Sequence, residues 1–259
     1  QGTLTFSEKE EIVRFISEKG IKILNLCHIP EDGRLKTLSF SAADRSRVLE
    51  ILDFGERVDG SNLFSFIEPD KSDIYITPKI SRGFINPFSA VSTLNILCDY
   101  LDDNGKPLEV APKNVLARAE EKLRSSSGIV LKALAELEFY VISKQETEIL
   151  FPDAPDKNYH ESAPFAKFED LRNEALVTLA NVGVATKYGH SEVGRIFSKD
   201  NTFMEQQEVE FTLQNLAEMA ETIAIAKWVI RNVCLKYEFS VSFSPKISLE
   251  HVGNGMHVH

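Results

Sequence analysis

The sequence predicts an α+β chain in two parts, a small unit over residues 1–110 and a larger one over residues 111–259. Three observations carry this. IKILNLCHI and LKTLSF flank the turn PEDGR, whose Asp32-Gly33 is a strong tight-turn signal, so a hairpin belongs to the first unit. Pro112 introduces a helical run leading into LAELEFYVIS, an apolar strand, and the boundary falls just before that helix. The longest periodic stretch, from about Glu210 to Tyr237, sets Leu213, Leu216, Ala220, Ile223, Lys227 and Ile230 along one helical face.

In chain order, Ser7 with Glu10 three residues on makes a capping box for a helix over Glu8 to Lys19, which Gly20 ends. The hairpin follows, then a short helix in SAADRSRVLEIL. DIYITP and STLNILCDYL read as two more strands before the turn DDNGKP, so the first unit has mixed strands and few helices. Beyond KNVLARAEEKLRSS and the strand holding Glu136 and Glu138 comes a loop rich in Pro and Asp, PDAPDKNYHESAP, and a helix from about Phe168 to Val182. VATKYGHSEVG and FSVSFSPKI read as strands on either side of the long helix, and Val258 and His259 extend a last strand-like run. No internal repeat or low-complexity tract is evident.

The 259 residues are 43% hydrophobic and 26% charged, enough for a well-buried core and ordinary for a soluble protein. A net charge of −10 argues against nucleic acid or anionic membrane as the main partner and is compatible with metal ions and cationic ligands. Cys27, Cys98 and Cys234 lie in apolar runs without a C-x-x-C, which reads as reduced core thiols of a cytoplasmic protein. The opening QGTLTFSEKEE lacks a basic region followed by an apolar one, and no apolar run approaches membrane-spanning length.

The chemistry starts at Glu136 and Glu138. Side chains at i and i+2 of a strand point the same way and sit roughly 6.5 to 7 Å apart, so both carboxylates look at one spot. Burying them as unpaired anions is costly; they must be protonated, paired with Lys or Arg, wet, or neutralised by a cation. A wet face is the ordinary reading of E-x-E. Against it, Ala133, Ala135, Leu137, Phe139, Val141 and Ile142 make the run apolar well beyond one face. His257 and His259 repeat the same spacing near the end of the chain, though an H-x-H alone is more often surface decoration. Glu192 in GHSEVG and Glu208 in EQQEVEF sit beside glycine or amide-rich segments, and singly each could be a solvated acid. Taken together these oxygen donors suit hard ions such as Mg²⁺ or Mn²⁺ better than structural zinc.

VDGSNLFSF, NPFSAVSTLNILCDYL, PKNVLARAEEKL, AELEFYVI, GHSEVG, EQQEVEF, SPKISL and GNGMHVH follow in order the landmarks of the glutamine synthetase family. The chain resembles that family from about Phe54 to the end, and eight blocks in register are specific where one would be weak. The resemblance implies a small N-terminal β-grasp domain over 1–110, then over 111–259 part of a catalytic domain whose curved antiparallel sheet forms half a barrel with helices outside. It implies a homo-oligomeric ring with active sites between subunits. The implied activity is ATP-dependent: glutamate's side-chain carboxylate is phosphorylated, and ammonia displaces the phosphate to form the amide.

Carried onto this chain, the resemblance implies that Glu138, Glu192 and Glu208 hold one divalent ion, with Glu208 also catalytic, and that Glu136 and His257 hold a second that neutralises the ATP phosphates. His259 would lie beside the transferring phosphate. Asp59 would bind and deprotonate ammonium from across a subunit interface, with Ser61 and Asn62 shaping its loop; Tyr159 would line the ammonium pocket, and Gly253 would approach the amino acid. A further carboxylate and several arginines lie beyond the GNGMH motif in the family, so the catalytic domain is expected to be incomplete here and the chain alone to lack groups needed for activity.

The chain also departs from the family pattern. Val252-Gly253 replaces an asparagine-glycine pair, with Asn254 following; Lys187 stands where an acid near the nucleotide is common; and GRIFSKDNTFMEQQ is longer than the usual connection. These departures mark a divergent branch. They keep open a γ-glutamyl ligase for a larger amine, or a catalytically silent structural or regulatory relative.

Overall fold

Ile12, Val13 and Ile16 are buried by the first helix, α1 (Lys9–Lys19), whose acids Glu10 and Glu11 lie in the first turn and Lys19 in the last, as the helix dipole favours. Its cap differs from the expected box. Glu11, not Glu10, reaches back to accept from the Ser7 N–H at 2.7 Å, and Gly20 closes the helix in the left-handed region at φ 64°. The structure is a computed structural model that describes residues 2–144, 150–152, 154–198 and 200–259. Two units separate in it, Gln1–Leu131 with Asn181–Gly183, and Lys132–Ala180 with Val184–His259.

In the first unit, β1 (Ile23–His28) and β2 (Lys36–Ser41) form the expected antiparallel hairpin. Asp44 accepts from the Ser46 and Arg47 N–H groups and so starts α2 (Arg45–Phe54), which buries Val48, Ile51 and Leu52. After β3 (Glu56–Asp59), β4 (Asp73–Ile85) and β5 (Thr93–Leu101), the sheet runs β2-β1-β5-β4-β3, with β1 and β5 parallel at its centre. Leu24, Leu26, Ile74, Ile76, Leu94 and Ile96 meet the two helices in one core. Each such side chain contributes roughly 1.5–3 kcal/mol by leaving water. The strand expected to stop at Pro78 continues to Ile85 because a register break between Pro78 and Gly83 absorbs the proline. The helix α3 (Pro112–Ser127) starts with proline at its first turn, and Asn114 ties it to the Leu108 carbonyl at 2.9 Å.

The second unit contains β6 (Lys132–Ala133), β7 (Ala135–Lys144), α4 (Glu169–Asn181), β8 (Thr186–Phe197), β9 (Thr202–Phe211), β10 (Gln214–Asn215), α5 (Leu216–Lys236), β11 (Ser240–Ser242) and β12 (Met256–Val258). Its curled sheet is ordered β11-β7-β9-β8, all antiparallel, and β12 shares the β7 edge with β11. Two expectations are corrected here. The long helix begins at Leu216, because Glu210 and Phe211 belong to β9, a strand hidden in the sequence by polar residues on both faces. The run FSVSFSPKI is a strand only over Ser240–Ser242. Lys199 in the long connection and Asp153 in the Pro-rich loop lie outside the described residues. Among the described residues no helix is long and apolar enough to cross a membrane.

One buried histidine gives the first unit a pH signature. His28 is 5% exposed, and its Nδ1 lies 2.6 Å from the Tyr100 hydroxyl. Burial, aided by the Lys36 charge and opposed by Asp32, pushes its pKa down to about 4. The unfolded chain takes up the proton near pH 6.5 while the native state refuses it until about pH 4, so stability falls as pH drops through that window. Between pH 7 and pH 5 the loss is about 2 kcal/mol. Urea unfolding of the wild type and His28→Gln at both pH values should show this extra loss in the wild type alone; parallel pH dependence would contradict it.

Candidate metal centre on the curled sheet

The antiparallel register lays the candidate residues out in two rows across the sheet. Glu136 on β7 stands opposite His257 on β12 and Glu210 on β9, and Glu210 stands opposite Tyr188 on β8. In the next row Glu138 faces Glu208, and Glu208 faces His190. Directly opposed residues share a face, so the i, i+2 pairs of each strand converge. Glu208 and Glu210 are themselves a second E-x-E.

The side chains close this lattice. His257 Nδ1 is 2.9 Å from Glu136 Oε2 and 3.9 Å from Glu138 Oε1, and His259 Nε2 is 3.4 Å from Glu136 Oε1. On the other side, His190 Nε2 lies 3.2 Å from Glu208 Oε2 and its Nδ1 3.7 Å from Glu192 Oε2. Glu138 Oε2 accepts from Gln206 Nε2 at 2.8 Å and from the Gly255 N–H at 2.9 Å. Gln206 also donates to the Gly253 carbonyl at 2.8 Å, and Tyr140 donates its hydroxyl to the Val252 carbonyl at 2.8 Å. The segment carrying His257 is thus fixed to the sheet floor. Asn254 donates to the Ser242 and Ser244 carbonyls, which pins the same loop from behind.

Charge is unbalanced on this face. Burial, with the Glu208 and Glu136 charges, holds Glu138 above the ordinary glutamate range, although the Gly255 N–H and His257 oppose the shift. Glu192 is raised likewise by burial and by Glu208 and Glu138. His257 and His190 answer from the other direction: hydrogen bonding to Glu136 and to Glu208 respectively raises each imidazole. Carboxylates that crowd one another in this way call for a cation.

The donor set fits a divalent ion. One donor atom each from Glu136, Glu208 and His257, and again from His190, Glu192 and Glu208, lies within 4.8 Å of the others, so Glu208 is common to both groups. Gly255 leaves the space between them open: a Cβ there would sit 2.5 Å from His257 Nε2 and 2.6 Å from Glu138 Oε1. The cysteines are buried and free, and none belongs to either group, so the donors are carboxylate and imidazole.

Of the other candidates, Tyr159 stacks on His160 with ring centroids 4.0 Å apart and meets the His190 ring edge-on at 5.5 Å. Its loop is held from the convex face, where buried Glu205 accepts from the Lys167 N–H at 3.1 Å and from Arg195 at 3.2 Å, and Arg195 also bonds Asn158. Asp59 and Ser61 belong to the first unit. There Asp59 Oδ1 accepts from the Ser61 N–H and hydroxyl at 2.9 and 2.6 Å, and Oδ2 accepts from Asn62 at 2.8 Å. His190, Tyr188, Gln206 and Glu210 were not anticipated. The alternation Tyr188-x-His190-x-Glu192 and the EVE of β9 were the available signals.

The first unit is a five-stranded mixed sheet packed with helices, and the second is a curled antiparallel sheet that gathers acids and imidazoles. The family model described as glutamine synthetase, catalytic domain, matches residues 109–259, and that described as glutamine synthetase, beta-Grasp domain, matches residues 20–103. The chain belongs to the glutamine synthetase family. It is 27% identical over 253 residues to glutamine synthetase of Thermotoga maritima, covering 96% of this chain and 55% of that protein. It is 24% identical over 256 residues to glutamine synthetase of Methanococcus maripaludis, with the same coverage of 96% and 55%. The cryoEM structure of Plasmodium falciparum glutamine synthetase superposes with a TM-score of 0.84 at 17% identity, covering 100% of this chain and 54% of that one, and so shares the fold. The chain therefore spans about half the length of these relatives.

Gly255→Ala tests the geometry directly. The new methyl group meets the ends of two side chains rather than backbone, so His257 should swing away from Glu136 while the fold persists. In metal-free protein the His257 pKa, read by NMR titration, should drop back toward the ordinary histidine value with little change in melting temperature. An unchanged His257 titration would show that the glycine is not what keeps this space open.

Proposed function

We propose that the chain forms the β-grasp domain and the metal-binding part of the catalytic domain of an ATP-dependent ligase that joins glutamate to ammonia through a γ-glutamyl phosphate. The domain division is proposed at residues 110 and 111, which assigns α3 to the second domain by sequence although it packs within the first compact unit. The observation that carries the reading is the pair of donor groups sharing Glu208, with Glu138 in neither group but directly opposite Glu208 on the same face. A silent relative would have no need to keep both halves of it.

In this reading Glu138, Glu192 and Glu208 hold one ion, and Glu136 and His257 a second. Divalent ions, when bound, supply counter-charge to the ATP phosphates and polarise the reacting carboxylate. The residues supply the rest. Gln206 and the Gly255 N–H orient Glu138 by occupying one of its oxygens, so the other faces the cluster. His259, at the open end of the row, meets the transferring phosphate. Asp59, held ionised by the hydrogen bonds of Ser61 and Asn62, takes the proton from ammonium. Tyr159 lines the amine's approach, and Gly253 lies against the amino acid moiety. The assembly is a homo-oligomeric ring in the cytoplasm, with each site completed by a neighbouring subunit's Asp59.

The rings around the approach favour a second reading for the amine. Tyr159, His160 and His190 form a contiguous group, with His160 and His190 centroids 4.3 Å apart, and aromatic faces beside carboxylates attract organic ammonium ions as well as ammonium. Alkylamines thus belong in the assay.

In the complete protein, glutamate, ATP and ammonium should yield glutamine and phosphate. Glu138→Ala should lower the rate by about a hundredfold or more, as expected for loss of a metal ligand. Asp59→Ala subunits mixed with Glu138→Ala subunits should recover activity at about a quarter of the interfaces, those pairing two intact halves. No recovery in demonstrably mixed oligomers would overturn the shared site, and turnover of alkylamine but not ammonium would select the second reading.

A further inference from the structure

Glu210, like Glu138, lies in neither donor group, and for Glu210 the reason is local. It stands directly opposite Glu136, a like-charge cross-strand pair that destabilises a sheet unless something neutralises it. Its side chain is only 8% exposed. The neutralising group is Lys187, whose Nζ lies 2.9 Å from Glu210 Oε2, while the Tyr188 hydroxyl donates to Glu210 Oε1.

Adjacent residues of a regular strand point to opposite faces, so Lys187 and Tyr188 should not reach one carboxylate. They do because the β8 register shifts between Thr186 and Tyr188, a bulge that re-aims the lysine onto the concave face. The ammonium then sits 4.8 Å from the Tyr188 ring centroid, a cation–π position that steadies it. Every part of this arrangement serves to place one positive charge at the end of the Glu136 row.

We propose that Lys187 is a resident cation of the carboxylate lattice: its ammonium occupies Glu210 in place of a metal ion, and so limits how many divalent ions this face takes and how tightly the Glu136 row holds its own. The proposal rests on the metal reading of the cluster. It assigns Lys187 a positioning role by charge, without contact to the reacting atoms.

Mn²⁺ binding to the 259-residue chain, followed by the EPR signal of free Mn²⁺, tests it without recourse to activity. Lys187→Met should bind an additional Mn²⁺ or bind about fivefold more tightly, because Glu210 is left uncompensated beside Glu136. Glu210→Gln should act in the opposite direction, weakening binding by a similar factor, because the lysine's charge then faces Glu136 alone. The double variant should return to within about twofold of wild type, and Lys187→Arg should match it. Changes of the same sign in both single variants would mean only damaged structure and overturn the assignment. Superimposable wild-type and Lys187→Met curves would overturn it while leaving the ion site standing. If wild type and Lys187→Met both fail to bind Mn²⁺ at millimolar concentration, the metal reading falls and this proposal with it; uptake by Lys187→Met alone would support it.

Discussion

The register between β7 and β9 decides where the functional groups of the second unit stand. Glu136 opposite Glu210 and Glu138 opposite Glu208 put two E-x-E pairs face to face, and every other group of the cluster is positioned relative to them. A strand's side chains alternate, so a slip of one residue would send all four carboxylates to the other face. The convex face resists that slip. Leu137 stands opposite Val209 there, Val141 opposite Glu205, and Glu205 is committed to Arg195 and the Lys167 and Phe168 N–H groups. Moving β9 by one residue would expose an apolar row and leave a fully buried arginine without its carboxylate, a loss of about 3–5 kcal/mol.

That arrangement concentrates negative charge, and the groups around it read as successive answers to the charge. Gln206 and the Gly255 N–H satisfy one oxygen of Glu138, His257 faces Glu136, His190 faces Glu208, and Lys187 faces Glu210. What remains unanswered is the space between Glu136, Glu138 and Glu208, where Gly255 contributes no side chain and Glu138 is still held above its ordinary range. A divalent ion there would complete the series. The same logic explains why the loop bearing His257 is tied by Tyr140, Gln206 and Asn254: a ligand that arrives from a three-residue strand must be fixed by something other than the strand.

The sequence made the acids of β7 legible because they interrupt an apolar run, and the histidines of β12 because they repeat the spacing. The hairpin and helices of the first unit were legible for ordinary reasons: a DG turn, a capping acid and helical periodicity. β9 was not legible. Glu205, Gln206, Gln207, Glu208 and Glu210 are all buried in it, so a central strand looked like a polar segment ahead of a helix. Polar burial of that kind is sustained only by partners that come from elsewhere in the chain, such as Arg172 bonding Gln207 at 2.7 Å, and no local pattern reveals them. Lys187 is legible as a departure from the family pattern, but its pairing with Glu210 depends on the bulge in β8, which no local pattern signals.

If this register builds a divalent-ion site, anomalous scattering from Mn²⁺-soaked crystals will locate the ions. The prediction is a peak among Glu138, Glu192 and Glu208, filling at lower Mn²⁺ concentration than a second peak beside Glu136 and His257, because three carboxylates outweigh a two-ligand position that leaves most coordination to water. Density beside His257 alone, or Glu192 and Glu208 turned away from Glu138, would contradict it.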